Sequence, residues 1–276
     1  MAQERILITG GSGKVATLLR PRLARPGRTV RLLDIAPPSP LDGVPPESEE
    51  VVIASVDDIE AMVEAFAGID SVIHLGGRSK EAEMPEVLRL NVYGTYCVLE
   101  AARQAGVRRV IIASSNHAAG FHSRHDPREG DLPANAGGRP DTLYGWSKVA
   151  AEAAGQLYAD RFGMDVICLR IGMWFATPPG IRGLASWLSP DDGARLVEAC
   201  LSVESPGFRM VWGISRNTRR WWSLAEGEAI GYFPEDDAER YAAGLIAAHG
   251  EPDFDADPAM YRVGGSWCDI PLGQRN

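Results

Sequence analysis

The stretch Ile6–Ala16, ILITGGSGKVA, decides the fold. It reads as an apolar strand, a glycine turn and the opening of a helix, with Gly10 and Gly13 at the junction. Glycine at 10 permits a tight turn, and glycine at 13 lets the backbone approach a pyrophosphate at the helix N-terminus. The spacing is G-x-x-G-x-x-A, and Ala16 in the third position still allows close helix–sheet packing. Lys14 and Val15 complete the turn, but a Walker loop would need a hydroxyl residue where Val15 stands, so that pattern is rejected.

Outward from this turn, β-rich runs at 5–9, 29–33, 51–53, 71–75, 109–113 and 166–170 alternate with helical patterns at 57–67, 84–105 and 142–162. Runs such as VRLLDI and RVIIASS are apolar on both faces, as strands buried between helices are. The pattern predicts an α/β fold, a doubly wound, Rossmann-type parallel sheet. Residues 1–189 are expected to form this dinucleotide-binding domain and to carry the catalytic residues. Residues 190–276, with a short strand near 208–213 and a helix near 238–248, are expected to form a small C-terminal cap packed as one unit with the sheet. Pro- and Gly-rich loops at 36–47, 125–141 and 177–183 follow strands, and the segments 116–141 and 172–183 are the expected substrate loops.

The second strand ends in Asp34, where an acidic side chain can receive the adenosine ribose hydroxyls and repel a 2′-phosphate, favouring NAD over NADP. A solvated turn cap would look the same. Gly76 and Gly77 in HLGG fit a cofactor path or a structural turn equally well. The sharper signal is LYGWSK, with Tyr144 and Lys148 at i and i+4 on one helix face. Tyrosine titrates near 10 in water, and a nearby ammonium would favour the phenolate that a general base needs. Ser114, Ser115, Asn116 and His117 end the fifth strand, where a serine hydroxyl can hold a substrate oxygen beside the phenol. His117 reads as a substrate donor or a satisfied loop histidine. His122, His125 and Asp126 lack a fourth ligand in view and read as a solvated loop, so no metal site is expected.

The chain has 276 residues, 45% of them hydrophobic and 24% charged, enough for a sizeable core. Its net charge of -9 argues against a nucleic-acid backbone as partner but leaves room for an anionic small molecule. Cys97, Cys168, Cys200 and Cys268 lie far apart, which suits reduced thiols and a cytoplasmic protein. No apolar run reaches the roughly 18 residues of a membrane span, and the strand pattern begins at Arg5 without a basic-then-apolar leader.

Taken together, TGGSGKVA, HLGG, NVYGTYCVLEAA, ASSNHAAG and LYGWSK resemble the short-chain dehydrogenase/reductase superfamily, on its epimerase/dehydratase-like side. A narrower resemblance, carried by HLGGRS, ASSNH, RPDTLYGWSK, RIG, LSPDD and Trp221–Trp222, is to uronate dehydrogenases. It implies oxidation of galacturonate or glucuronate at the anomeric carbon to an aldarolactone, with reduction of NAD. It further implies Tyr144, Lys148 and Ser115 as catalytic residues, with Ser79, Ser115, Asn116, His117, Tyr144 and Arg182 on the sugar. Arg182 would hold the carboxylate. The cofactor would meet Gly10, Gly13, Lys14, Val15, Asp34, Ile35, Val56, Leu75, Gly76, Gly77, Asn91, Tyr144, Lys148 and Ile171. A homo-oligomer is expected. The chain departs from the family at Met173, which replaces a serine and is followed by bulky Trp174 and Phe175. It also has a longer 116–144 loop, and Ser55 where an acidic residue is usual. An epimerase or dehydratase that keeps its NAD, a dehydrogenase of another sugar, and a non-catalytic NAD sensor are the alternatives.

Overall fold

In the computed structural model, which describes residues 3–126 and 130–275, β1 (Glu4–Thr9) buries Ile6 and Ile8 on one face and Leu7 on the other. That alternation is what a strand sandwiched between two helical layers requires. The chain continues through α1 (Lys14–Leu23), β2 (Arg28–Asp34), β3 (Glu49–Ile53), α2 (Ile59–Ala65), β4 (Ser71–His74), α3 (Met84–Val87) and α4 (Gly94–Ala105). Then come β5 (Arg109–Ser115), α5 (Leu143–Phe162), β6 (Asp165–Ile171), and a small pair, β7 (Met173–Trp174) and β8 (Trp187–Leu188), flanking α6 (Gly183–Ser186). The last third holds α7 (Pro190–Ser202), β9 (Phe208–Gly213), α8 (Ala225–Glu228), α9 (Ala242–His249) and α10 (Pro258–Tyr261).

Seven strands form one parallel sheet in the order β3-β2-β1-β4-β5-β6-β9. Helices α1 and α7 cover one face, and α2, α4 and α5 the other. The predicted doubly wound sheet is therefore present. The strand order reverses between β1 and β4, so the crevice at their carboxyl ends is where such a sheet takes a ligand.

Three local readings needed revision. Phe208–Gly213, expected within the cap, is the parallel edge strand of the main sheet, paired with β6 from Val166↔Phe208 to Ile171↔Gly213. A boundary at 189/190 thus cuts through the sheet rather than beside it. What lies beyond is a separate apolar cluster in which Trp212 of β9 stacks on Trp222 with ring centroids 4.6 Å apart. The helical stretch 84–105 is also not uniform, because a π-helical turn over Leu88–Tyr93 joins α3 to α4. Finally, Trp174 does not add bulk to a substrate pocket. Its ring is 4% exposed and packs in the core against Gly193, where a Cβ would collide with it.

Beneath the carboxyl end of β5 lies a buried ion pair. Arg170 on β6, 1% exposed, donates through Nε and Nη2 to both oxygens of Glu152 on α5, at 2.9 and 2.8 Å. Ser114 donates to the same carboxylate at 2.6 Å, and Arg170 Nη1 reaches the carbonyl of Ala136 at 2.6 Å. Removing one partner strands a buried charge, so Glu152→Ala should lower the unfolding free energy by about 3–5 kcal/mol. Urea unfolding measures this as a lower midpoint at unchanged slope. A loss no larger than the ~1 kcal/mol of a surface pair would show that the site relaxes or admits water.

Candidate active site

Gly10 follows β1 with φ +71, and a Cβ there would lie 2.8 Å from the Gly76 nitrogen. The two glycine turns thus touch, and neither position tolerates a side chain where the carboxyl ends of β1 and β4 meet. Gly13 caps α1 without a side-chain hydrogen bond, and Lys14 beside it is exposed, with Val15 half-buried. The helix amides there have no side-chain acceptor, the condition for holding a phosphate. Asp34 closes the turn, accepting from the Ser12 and Ile35 amides at 2.9 and 2.7 Å. Val56 packs under Gly76, Ile35 is 74% exposed, and Leu75 and Ile171 are half-buried at their strand ends. This cradle fits a dinucleotide: a Cβ on Gly10 or Gly76 would meet neighbouring atoms, and no acidic residue occupies the first turn of α1.

A chain of hydrogen bonds runs below this floor. The Gly76 amide donates to Thr9 Oγ1 at 3.1 Å, Thr9 meets His74 Nδ1 at 2.7 Å, and His74 Nε2 meets Thr95 Oγ1 at 3.1 Å. Thr95 in turn donates to the Asn91 carbonyl at 2.6 Å, which leaves its oxygen to accept from His74 and assigns the proton to Nε2. Burial, with Lys148 nearby, pulls His74 down to about 3, so the ring is neutral.

Asn91 lies in the π-helical turn, a feature that often marks functional positions. Its Oδ1 accepts from the Arg78 amide at 2.7 Å, and its Nδ2 donates to the Arg78 carbonyl and to Ser147 Oγ at 3.0 and 2.9 Å. The amide is fully occupied inside the protein, tying the loop after Gly77 to α5. Any part it has in cofactor binding is through that tie. Ser79 on the same loop is exposed.

Thr142 caps α5 by accepting from the Gly145 amide at 2.9 Å, and the buried Glu81 carboxylate accepts from the Leu143 and Tyr144 amides at 3.3 and 2.8 Å. Tyr144 is thereby held 8% exposed beside Ser115, which ends β5. Lys148 Nζ lies 5.5 Å from the Tyr144 ring centroid and donates to the Ala113 carbonyl at 2.8 Å. Burial pushes the phenol up to about 12 against the pull of the Ser115 hydroxyl, and burial brings Lys148 down to about 8. Among the protein's own groups, desolvation outweighs the ammonium expected to favour the phenolate.

His117 follows Ser115 and donates its amide to the serine oxygen at 3.2 Å. Its ring stacks on Trp267 at 4.1 Å and stands edge-on to Tyr144 at 5.9 Å. Asn116 Nδ2 donates to the Val263 carbonyl at 2.8 Å, and Arg182 Nη2 donates to that same carbonyl. Arg182 is therefore brought to Asn116 from a distant loop. Burial draws its guanidinium down to about 10, and among the described residues it forms no ion pair with a carboxylate. Sequence reading missed Trp267, Asp141 and Glu81, none of which lies in a glycine turn or a Tyr/Lys pair. His122 is occupied by Asp126 and the Gly137 carbonyl, His125 bonds the Asp255 carbonyl, and no group of three potential metal ligands occurs among the described residues.

The profile of the NAD dependent epimerase/dehydratase family matches residues 6–185. Over 265 residues the chain is 39% identical to uronate dehydrogenase of Pseudomonas putida, covering 96% of each protein. Its structure superposes on uronate dehydrogenase from Agrobacterium tumefaciens, a mutant complexed with NAD, with a TM-score of 0.89 at 33% identity, covering 100% of both chains. It also superposes on glucuronic acid dehydrogenase from Chromohalobacter salexigens, with a TM-score of 0.89 at 34% identity and 98% of both chains covered.

The neutral His74 makes a prediction for acid stability. Its folded value of about 3 lies below the ordinary 6.5, so between those pH values the unfolded chain binds one more proton. Stability is complete above about pH 6.5 and falls as the pH drops toward 3, by up to ~1.4 kcal/mol per unit. Urea unfolding at pH 7.0 and about 5.5 should show this slope, reduced by about one proton in His74→Asn. Equal slopes in both proteins would remove His74 from the account.

Proposed function

The chain belongs to the NAD dependent epimerase/dehydratase family, and from that premise we propose that it oxidises a hexuronate, galacturonate or glucuronate, at the anomeric carbon. The product is an aldarolactone and NAD is reduced. One observation carries the reading of the substrate: a buried guanidinium, Arg182, in ion-pair contact with no carboxylate among the described residues, meets Asn116 at the Val263 carbonyl beside the Ser115–His117 segment. A buried guanidinium neutralised by no carboxylate in contact is costly, and a substrate carboxylate is the bidentate ligand that would offset it.

The glycine turns at Gly10 and Gly76, the amides opening α1 and the Asp34 carboxylate would hold the dinucleotide. When bound, NAD supplies the positively charged ring that accepts the hydride and favours ionisation of the nearby phenol. Tyr144 takes the proton from the anomeric hydroxyl as the carbon–hydrogen bond breaks, and the hydroxyl oxygen becomes the lactone carbonyl. Ser115 holds that oxygen against the phenol, and Lys148, fixed by the Ala113 carbonyl, keeps a positive charge over the ring face. Fixing the reacting groups this way supplies the orientation part of the rate enhancement.

We place the protein in the cytoplasm on its free thiols, and among the described residues no helix is long and apolar enough to cross a membrane. It assembles as a homo-oligomer through the outer faces of α4 and α5. Tyr93 in the π-helical turn before α4, Tyr96 on α4, and Leu157 and Phe162 on α5 are 45%, 45%, 55% and 44% exposed, more apolar surface than an isolated chain needs.

Three measurements test these points. Tyr144→Phe should bind NAD as the parent does and lose at least about a thousandfold in turnover, read as NADH absorbance, given what general-base catalysis contributes with its fixed partners. Near-full activity in that variant removes the proton-transfer role. In a panel of hexuronates and neutral aldoses, Arg182→Ala should lose acidic substrates selectively, and an unchanged ranking would discard the carboxylate clamp. In light scattering the parent should exceed one chain's mass, and a Tyr96→Glu, Leu157→Glu double variant should be monomeric. A monomeric parent ends that proposal.

A further inference from the structure

We propose that Asp141 is a positioning residue that fixes His117 as a hydrogen-bond acceptor, so that the site demands a hydroxyl donor from the sugar at that point. The inference rests on the hexuronate reading above and adds a rule about which hydroxyl chemistry the site admits.

The Asp141 carboxylate is fully buried and lies 2.7 Å, through Oδ2, from His117 Nδ1. Its seat is built for it. Gly120, Gly145 and Gly264 all press against it, and a Cβ at any of the three would run into its atoms. A carboxylate has no proton to give, so Nδ1 carries the hydrogen, and in the Nδ1–H tautomer that the proposal assigns Nε2 offers a lone pair. Nε2 has no hydrogen-bond partner among the described residues, and the ring is 12% exposed with Nε2 reachable from solvent. Stacking on Trp267 and edge contact with Tyr144 stop the ring from turning away. The other ionisable groups near Asp141 are Tyr144, Arg182 and Cys268, none of which hydrogen-bonds the imidazole. A hydroxyl is what that lone pair accepts from.

Thr142 makes this testable by a near-isosteric change. Its hydroxyl oxygen already accepts from the Gly145 amide, and its one hydrogen goes to Asp141 Oδ1 at 2.9 Å. In Asp141→Asn the amide oxygen must stay on the Thr142 side to receive that hydrogen, which turns the amide NH2 toward His117. Nδ1 then becomes the acceptor and Nε2 the donor, the wrong-tautomer effect known for an aspartate-to-asparagine change in the serine-protease triad.

The experiment has two arms. In protein labelled with 15N-histidine, with His117 assigned by its loss in His117→Gln, the parent should show the Nδ1–H tautomer and Asp141→Asn the Nε2–H tautomer. A merely structural aspartate would not move that signature, and Nε2–H in the parent overturns the proposal even if the variant does not fold. In the second arm, competitive inhibition is measured with hexuronates carrying fluorine in place of each ring hydroxyl in turn. Fluorine cannot donate, so at one ring position the parent should bind the analogue at least about tenfold more weakly, and Asp141→Asn should lose that discrimination. No discriminating position in the parent, or unchanged discrimination in the variant, also overturns it. Failure to reduce NAD with any hexuronate would instead defeat the functional reading while leaving the tautomer result intact.

Discussion

Everything at the candidate site depends on how the first turn of α5 is seated. Glu81 is fully buried, yet its carboxylate is met by backbone amides rather than by a cation: Leu143 and Tyr144 from the helix, and Gly273 from the C-terminal segment at 2.8 Å. A buried anion is normally expensive. Here the positive end of the helix dipole and three converging N–H groups compensate it. Because one of those amides belongs to Tyr144, the anion that anchors the helix also sets the height of the phenol above the sheet. Ser147 and Asn91 then lock the next turn to the loop after Gly77.

Water exclusion gives the site a common electrostatic character. Burial raises Tyr144, lowers Lys148, lowers Arg182 and lowers His74, each toward its neutral form. A cavity that disfavours its own charges responds strongly to charges a ligand brings, because little solvent competes with them. A cationic ring beside the phenol and a carboxylate beside the guanidinium are the complements such a cavity selects. The neutral His74 below the floor keeps that balance free of a further positive charge.

The parts of the molecule legible in the sequence are those fixed by local rules. Ile6–Ala16 announces strand, turn and helix within a few residues, and Tyr144 and Lys148 declare themselves by helical spacing. The parts that escaped are set by contacts distant along the chain. Phe208–Gly213 is short and broken by Arg209, so nothing in it distinguishes a cap strand from the edge of the main sheet; only pairing with β6 decides. The π-helical turn adds one residue to a single turn of an otherwise regular period, too little to disturb the apolar pattern. Glu81, Asp141 and Trp267 act through partners 63, 24 and about 150 positions away, so no motif could contain both halves.

The packing of Trp174 against Gly193 has an evolutionary corollary. Each residue fills or vacates the same volume, so neither can drift alone: enlarging position 193 collides with the indole, and shrinking position 174 first leaves a void worth about 3–5 kcal/mol. The two positions form an epistatic couple on the chain that follows β6. A lineage can exchange tryptophan–glycine for a smaller–larger pair only through a destabilised intermediate, which gives position 174 in β7 an inertia that its neighbours do not share.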